Sequence, residues 1–144
     1  MSHVSKIETV ITNINTLKKA CNNLGLVFKE NQKTYKWFGQ FVGDYPLPEG
    51  MTKEDLGKCD HAIEVPNANY EIGVIKNKNK EGYSLYWDFW SGGKLIEHLG
   101  QNAWKLTQEY TIQQGIYSAG LEGHTYKVEE LKDRKRLKIY VKEG

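Results

Sequence analysis

Two cysteines, three prolines and a formal net charge of only +2 stand among the 144 residues. Each shortage closes off a class of protein. Cys21 and Cys59 fall in different predicted elements and make no disulfide framework; they read as reduced thiols of a cytoplasmic chain. No apolar run approaches the length of a membrane span. The opening stretch Ser2-His3-Val4-Ser5-Lys6-Ile7-Glu8 has no basic region followed by an apolar core, so no signal peptide is expected. A charge of +2 does not by itself call for nucleic acid. The glycine-rich loop that cradles phosphates is also missing: Ser91-Gly92-Gly93-Lys94 has a glycine pair and a lysine, but not the longer pattern.

Chemistry-bearing constellations are scarce as well. Four histidines are present, and the best metal-like spacing is Cys59-Asp60-His61, a single C-x-H without a second pair. Cys59 and His61, two apart on one strand, do not make a nucleophile and base by default. The spacing of Glu71, Asp88, Glu97 and Glu109 singles out no acid/base pair. The expectation is a protein that is not an enzyme and holds no cofactor and no metal.

What is present suffices for a fold. Hydrophobic residues make up 39% and charged residues 26%, a composition that fits one globular domain over residues 1–144. "VSKIETVI" (4–11) alternates as a strand, with Ser5, Ile7, Thr9 and Ile11 on one side. Asn13 can cap a helix with apolar positions at Ile14, Leu17, Cys21 and Leu24, and Gly25 supplies its stop. "LVFKEN" and "TYKWFG" predict a hairpin. From residue 39 to 58 periodicity fails, and glycines and prolines punctuate a long loop carrying Phe41 and Tyr45, a candidate lid. "HAIEVP", "YEIGVIKN" and "YSLYWDFW" predict an antiparallel meander. Residues 94–119 predict a helical region that Gly100 and Gly115 weaken and can kink or split. "TYKVEEL" and "LKIYVK" close the chain as a basic hairpin, either a solvated edge or an anion-attracting face. The order β-α-β-β-loop-β-β-β-α-β-β implies an α+β fold: an antiparallel sheet with two helices packed on one face.

The unusual feature is the ring content: four Trp, nine Tyr and four Phe. In "YSLYWDFW" (83–90), alternation puts Tyr83, Leu85, Trp87 and Phe89 on the core face and Ser84, Tyr86, Asp88 and Trp90 on the other. The second set mixes rings with a carboxylate, as a ligand-facing or partner-facing surface does, or lies under the long loop. The Ser91-Gly92-Gly93 turn ahead of a helix either offers N–H groups to an anion or forms an ordinary corner capped by Ser91.

With "VSKIETVI", a first helix ending in Leu24-Gly25, "YEIGVIKN", "YSLYWDFW", "LTQEY" (106–110) and the basic last hairpin, the chain resembles the hypothetical chloroplast reading frame thirty-five family. This is a domain of unknown function in red-algal plastids, cyanobacteria and tailed phages. The segment Gly43 to Lys58 is longer than the family pattern, and Gly115 and Gly120 stand where a charged helix end is expected. The resemblance covers nearly the whole chain and implies the fold, but it brings no enzymatic role.

The residues together predict a binding module that captures a small anionic nucleotide-like ligand. Tyr86, Trp87 and Trp90 would stack on the ligand, Asp88 would accept from its donors, and Lys94, Arg134 and Arg136 would meet its phosphates. In a phage such a protein would act as a sponge for a cyclic-nucleotide defence signal. A homo-oligomer that completes the pocket fits the exposed rings. The alternative is an adaptor that presents the same aromatic surface to a protein partner such as an ATPase.

Overall fold

A computed structural model describes residues 2–142. The fold is α+β, with a five-stranded antiparallel sheet, a separate two-stranded sheet and three helices. The large sheet is built from β1 (Val4–Ile11), β2 (Val27–Lys29), β3 (His61–Glu64), β4 (Glu71–Lys76) and β5 (Tyr83–Asp88), in the order β1-β5-β4-β3-β2. Helix α1 (Ile14–Asn23) follows β1; α2 (Leu95–Leu99) and α3 (Trp104–Leu121) follow β5. Strands β6 (Thr125–Glu130) and β7 (Lys135–Tyr140) form the last hairpin, which pairs with no strand of the large sheet. Among the described residues no helix is long and apolar enough to cross a membrane.

One face of the large sheet carries the main core. Ile7 and Ile11 of β1, Ile63, Ile72, Val74, Leu85 and Trp87 are buried there against Leu17, Ala20 and Cys21 of α1 and Leu106 and Tyr110 of α3. Burying such side chains contributes roughly 1.5–3 kcal/mol each relative to exposure. Helix α1 forms as its sequence dictates: the Asn13 side chain accepts the N–H groups of Asn15 and Thr16 at 2.9 and 3.3 Å. Gly25, at φ +73°, turns the chain out of the helix end. In β1 the register to β5 shifts between Ile7 and Val10, so the alternation read as Ser5, Ile7, Thr9, Ile11 is interrupted there, and Ile7 and Ile11 are the positions that reach the core.

One expectation is corrected, and another is sharpened. "TYKWFG" forms no strand; Thr34 makes only a single bridge to Lys58. The helical region breaks into two helices at Gly100, which has φ +81°, with Asn102 and Ala103 also left-handed. Gly115, by contrast, stays inside α3, where Leu137 of β7 packs so close that a Cβ would overlap it.

The opposite face of the sheet lies away from the main core. Residues 31–60 run over it, burying Tyr35, Cys59 and Ala62 in a second, smaller cluster with Trp37, Ile75 and Tyr86.

Candidate binding groove on the open face of the sheet

The alternation of β5 sends Ser84, Tyr86 and Asp88 to the loop-covered face while Leu85 and Trp87 enter the main core. The segment above them is tethered at both ends. At one end, Phe38 donates its N–H to Asp88 Oδ2 at 3.0 Å, Val42 its N–H to Ser2 Oγ at 3.2 Å, and His3 Nε2 meets Asp44 Oδ2 at 2.8 Å. Tyr45 stacks edge-on against Phe89, with centroids 4.9 Å apart. At the other end, Tyr35 N–H donates to Gly57 C=O and Cys59 N–H to Lys33 C=O, both at 2.9 Å. Between these tethers the strap crosses the sheet and leaves a cavity on each side.

The first cavity, about 680 Å³, lies toward β1 and is walled by Tyr45, Pro46, Leu47, Phe89 and Ile96, with Lys6 and Glu8 among the polar residues. The second, about 490 Å³, lies toward β4. Tyr86 and Glu49 line both, so the two form one groove divided by the strap. Lys58, Lys76, Lys78 and Lys80 stand around the second cavity. All four are exposed, and among the described residues none is in a salt bridge. Three acids line the same cavity: Glu49, Asp60, which accepts the Lys76 N–H at 2.7 Å, and Asp55, which accepts the Thr52 N–H at 2.9 Å. That backbone bond, with help from the Thr52 hydroxyl and the nearby Lys78 and Lys58 charges, holds the Asp55 carboxyl below its ordinary range. The second cavity thus carries four lysines against three carboxylates, a small positive excess, with the Tyr86 ring at its wall.

Of the seven predicted site residues, Tyr86 and Trp87 border this groove, and Tyr86 is the one whose ring lies on the open face. Half-buried on the open face, it has its phenol pushed up by burial. Trp87 is 2% exposed and belongs to the main core. Asp88 is fully buried and accepts three backbone N–H groups, from His3, Phe38 and Trp90, at 3.0, 3.0 and 3.1 Å. A carboxylate so occupied ties loops together and has no free face for a ligand's donors. Trp90 packs edge-on against Phe38 at 5.7 Å and lines neither cavity.

Lys94 lies outside the groove as the left-handed end of a short turn over Ser91–Gly93. That turn is an ordinary corner: Gly93 and Lys94 give their N–H groups to Trp90 and Ser91, and Ser91 makes no side-chain cap. Arg134 and Arg136 stand on the separate last hairpin, and Arg136 donates twice to Glu129 Oε2, at 3.1 and 2.5 Å. Lys94, Arg134 and Arg136 thus stand apart from the groove, and the lysines that line its second cavity are Lys58, Lys76, Lys78 and Lys80. Three of the four are the period-two lysines of "KNKNK" (76–80).

Cys59 and His61 do not face one another in a reactive pair. The Cys59 thiol donates to Gln32 C=O at 3.1 Å, and burial pushes it up to about 12. His61 Nδ1 accepts the Asn31 N–H at 2.9 Å, and burial lowers its affinity for a proton. Among the described residues, no three His, Cys, Asp or Glu side chains cluster as metal ligands. In comparisons with known proteins, no family model, no curated protein and no solved structure matches the chain.

Proposed function

We propose that the chain is a binding protein that captures a small anionic, ring-bearing ligand of the nucleotide class in the groove between β4, β5 and the strap. The observation that supports this most is the second cavity, where four exposed lysines, in no salt bridge among the described residues, outnumber Glu49, Asp55 and Asp60 around a space bounded by Tyr86. Clustered like charges concentrate anions at a cleft, and ammonium-to-phosphate hydrogen bonds are charge-assisted. A half-buried tyrosine gives a planar ring a surface to lie on. Capture of this kind needs shape, stacking and charge, and no nucleophile. In a phage, it would withdraw a cyclic-nucleotide defence signal from its sensor. The motifs quoted above support kinship with the chloroplast reading frame thirty-five family.

The adaptor reading has less support, because Trp87 and Asp88 are buried and Trp90 is packed between neighbouring side chains. Thermal unfolding against a panel of mono-, di- and cyclic nucleotides tests the proposal. A ligand that binds only the native state adds about 2.7 kcal/mol of stability at a hundred times its dissociation constant. A selective rise in the midpoint is expected; a flat response across the panel overturns the nucleotide reading.

A further inference from the structure

The last hairpin stands apart from the large sheet, and among the described residues neither of its edges pairs with another strand. One of its faces rests on α3: Leu137 covers Gly115, and Lys135 reaches Gln108 through its N–H at 2.8 Å and Glu109 through Nζ at 2.7 Å. The register pairs Tyr126 with Ile139 and Val128 with Leu137 on that same face. Yet Tyr126, Val128 and Ile139 remain 50%, 36% and 42% exposed. A lone pair of strands is marginal in water, and an apolar, unpaired edge invites another strand.

We propose that two copies of this chain join through their β6 strands, antiparallel about a two-fold axis at Val128, to make one four-stranded sheet. This proposal is independent of the nucleotide reading. The hairpin geometry decides which edge is competent. Leu131 donates its N–H to Arg134 C=O at 2.7 Å, so residues 131 and 134 are a hydrogen-bonded pair across the turn. Alternation along an antiparallel ladder then turns the N–H and C=O of Tyr126, Val128 and Glu130 outward. Centred on Val128, these groups meet their counterparts: Val128 faces Val128 of the second copy, and Tyr126 faces Glu130. The intervening pair is Lys127 against Glu129, a non-hydrogen-bonded pair in which side chains come closest.

Charge complementarity is therefore built into this register. Lys127 faces Lys138 within its own hairpin and makes no salt bridge among the described residues, whereas Glu129 already gathers Arg136 and Lys138. The second copy brings Glu129 to Lys127 twice over. Strand β7 offers no such solution. Centring on Leu137 sets Arg136 against Lys138, while centring on Arg136 or on Lys138 sets like residues against each other. Like charges directly opposite are destabilising. The self-complementary edge is β6, as an isologous dimer requires.

Sedimentation equilibrium on three variants tests the interface. In Val128→Pro the lost N–H points away from β7, and an edge strand accepts proline there. The unfolding midpoint at a concentration where wild type is monomeric should stay unchanged, while self-association weakens by about tenfold or more. Lys127→Glu and Glu129→Lys should each be monomeric alone, because the first sets Glu against Glu and the second Lys against Lys. An equimolar mixture of the two should form a mixed dimer. Lys127→Glu leaves Glu129 on Arg136 and Lys138, so it carries the charge test alone if Glu129→Lys fails to fold. A wild-type monomer at every concentration up to about 1 mM overturns the proposal. So does a Val128→Pro or Lys127→Glu variant that dimerises as tightly as wild type.

Discussion

The carboxylate of Asp88 accepts the backbone N–H of Phe38 at 3.0 Å, fifty residues away in the chain, and so fixes the start of the strap to the last residue of β5. Its other oxygen takes the N–H groups of His3 and Trp90. One buried side chain thereby joins the N-terminus, the strap and the corner after β5.

Asp88→Asn keeps the shape but supplies only one accepting oxygen, so its amide faces at least one N–H donor with another donor. A buried donor left unpaired costs about 1–3 kcal/mol. Urea unfolding should show a loss of that size, and amide hydrogen exchange should quicken at Phe38 and Val42 before the main core is affected. An unchanged urea midpoint would mean that these bonds contribute nothing to holding the strap.

Gly73 of β4 lies beneath the Tyr35 ring, and a Cβ there would overlap it. Its backbone is not left-handed, so the constraint is steric. Gly73→Ala should cost about 1–3 kcal/mol by overpacking. Trimming the ring in Gly73→Ala/Tyr35→Leu should recover part of the loss that Gly73→Ala shows against Tyr35→Leu alone. A simple sum of the two single effects in the double variant would contradict the contact.

Glu109 of α3 supplies the pH dependence. Burial pushes its carboxyl up, but donors from Lys135, Gln113 and Asn23 outweigh this and hold it below its ordinary value of 4.5. A carboxyl depressed in the folded state stabilises the protein fully above its unfolded value. That contribution is lost as pH falls from about 4.5 downward through the folded value. Thermal midpoints measured between pH 6 and pH 3 should therefore fall more steeply in wild type than in Glu109→Gln. Parallel curves would show that Glu109 contributes no such linkage.

Trp90→Ala separates packing from binding. The ring stands between Phe38 and Tyr70 and lies over Gly92, so its removal should cost about 2–3 kcal/mol, less than for a fully buried ring. Affinity for any nucleotide that raises the wild-type midpoint should not change. A selective loss of affinity without loss of stability would return Trp90 to the site.

Most of the framework could be read from the sequence because it rests on local signals. Asn13 and Gly25 bound α1 as cap and stop, and the alternation in "YSLYWDFW" sorts Leu85 and Trp87 from Tyr86 and Asp88. The failure at "TYKWFG" has a specific cause. Its rings alternate as in a strand, and Tyr35 and Trp37 do lie on the sheet. But Lys36 and Phe38 give their N–H groups to the buried carboxylates Glu71 and Asp88, at 3.0 Å each, instead of to a neighbouring strand. Periodicity reports which side chains are buried and is silent on where the backbone donors go. The same limit hid the lysines: Lys58 joins Lys76, Lys78 and Lys80 only because the strap brings residue 58 beside β4, a juxtaposition that no local pattern carries.

We propose the lysine-lined groove at Tyr86 as the site of a nucleotide-like anion. Backbone ¹H–¹⁵N spectra of the labelled protein, titrated with cyclic and linear nucleotides, test both the binding and its place in one measurement. Saturable shifts concentrated at Glu49–Met51, Lys58, Ile75–Lys80 and Tyr86 are the predicted result. Spectra unmoved by every nucleotide, or shifts confined to the hairpin around Arg134 and Arg136, would contradict it.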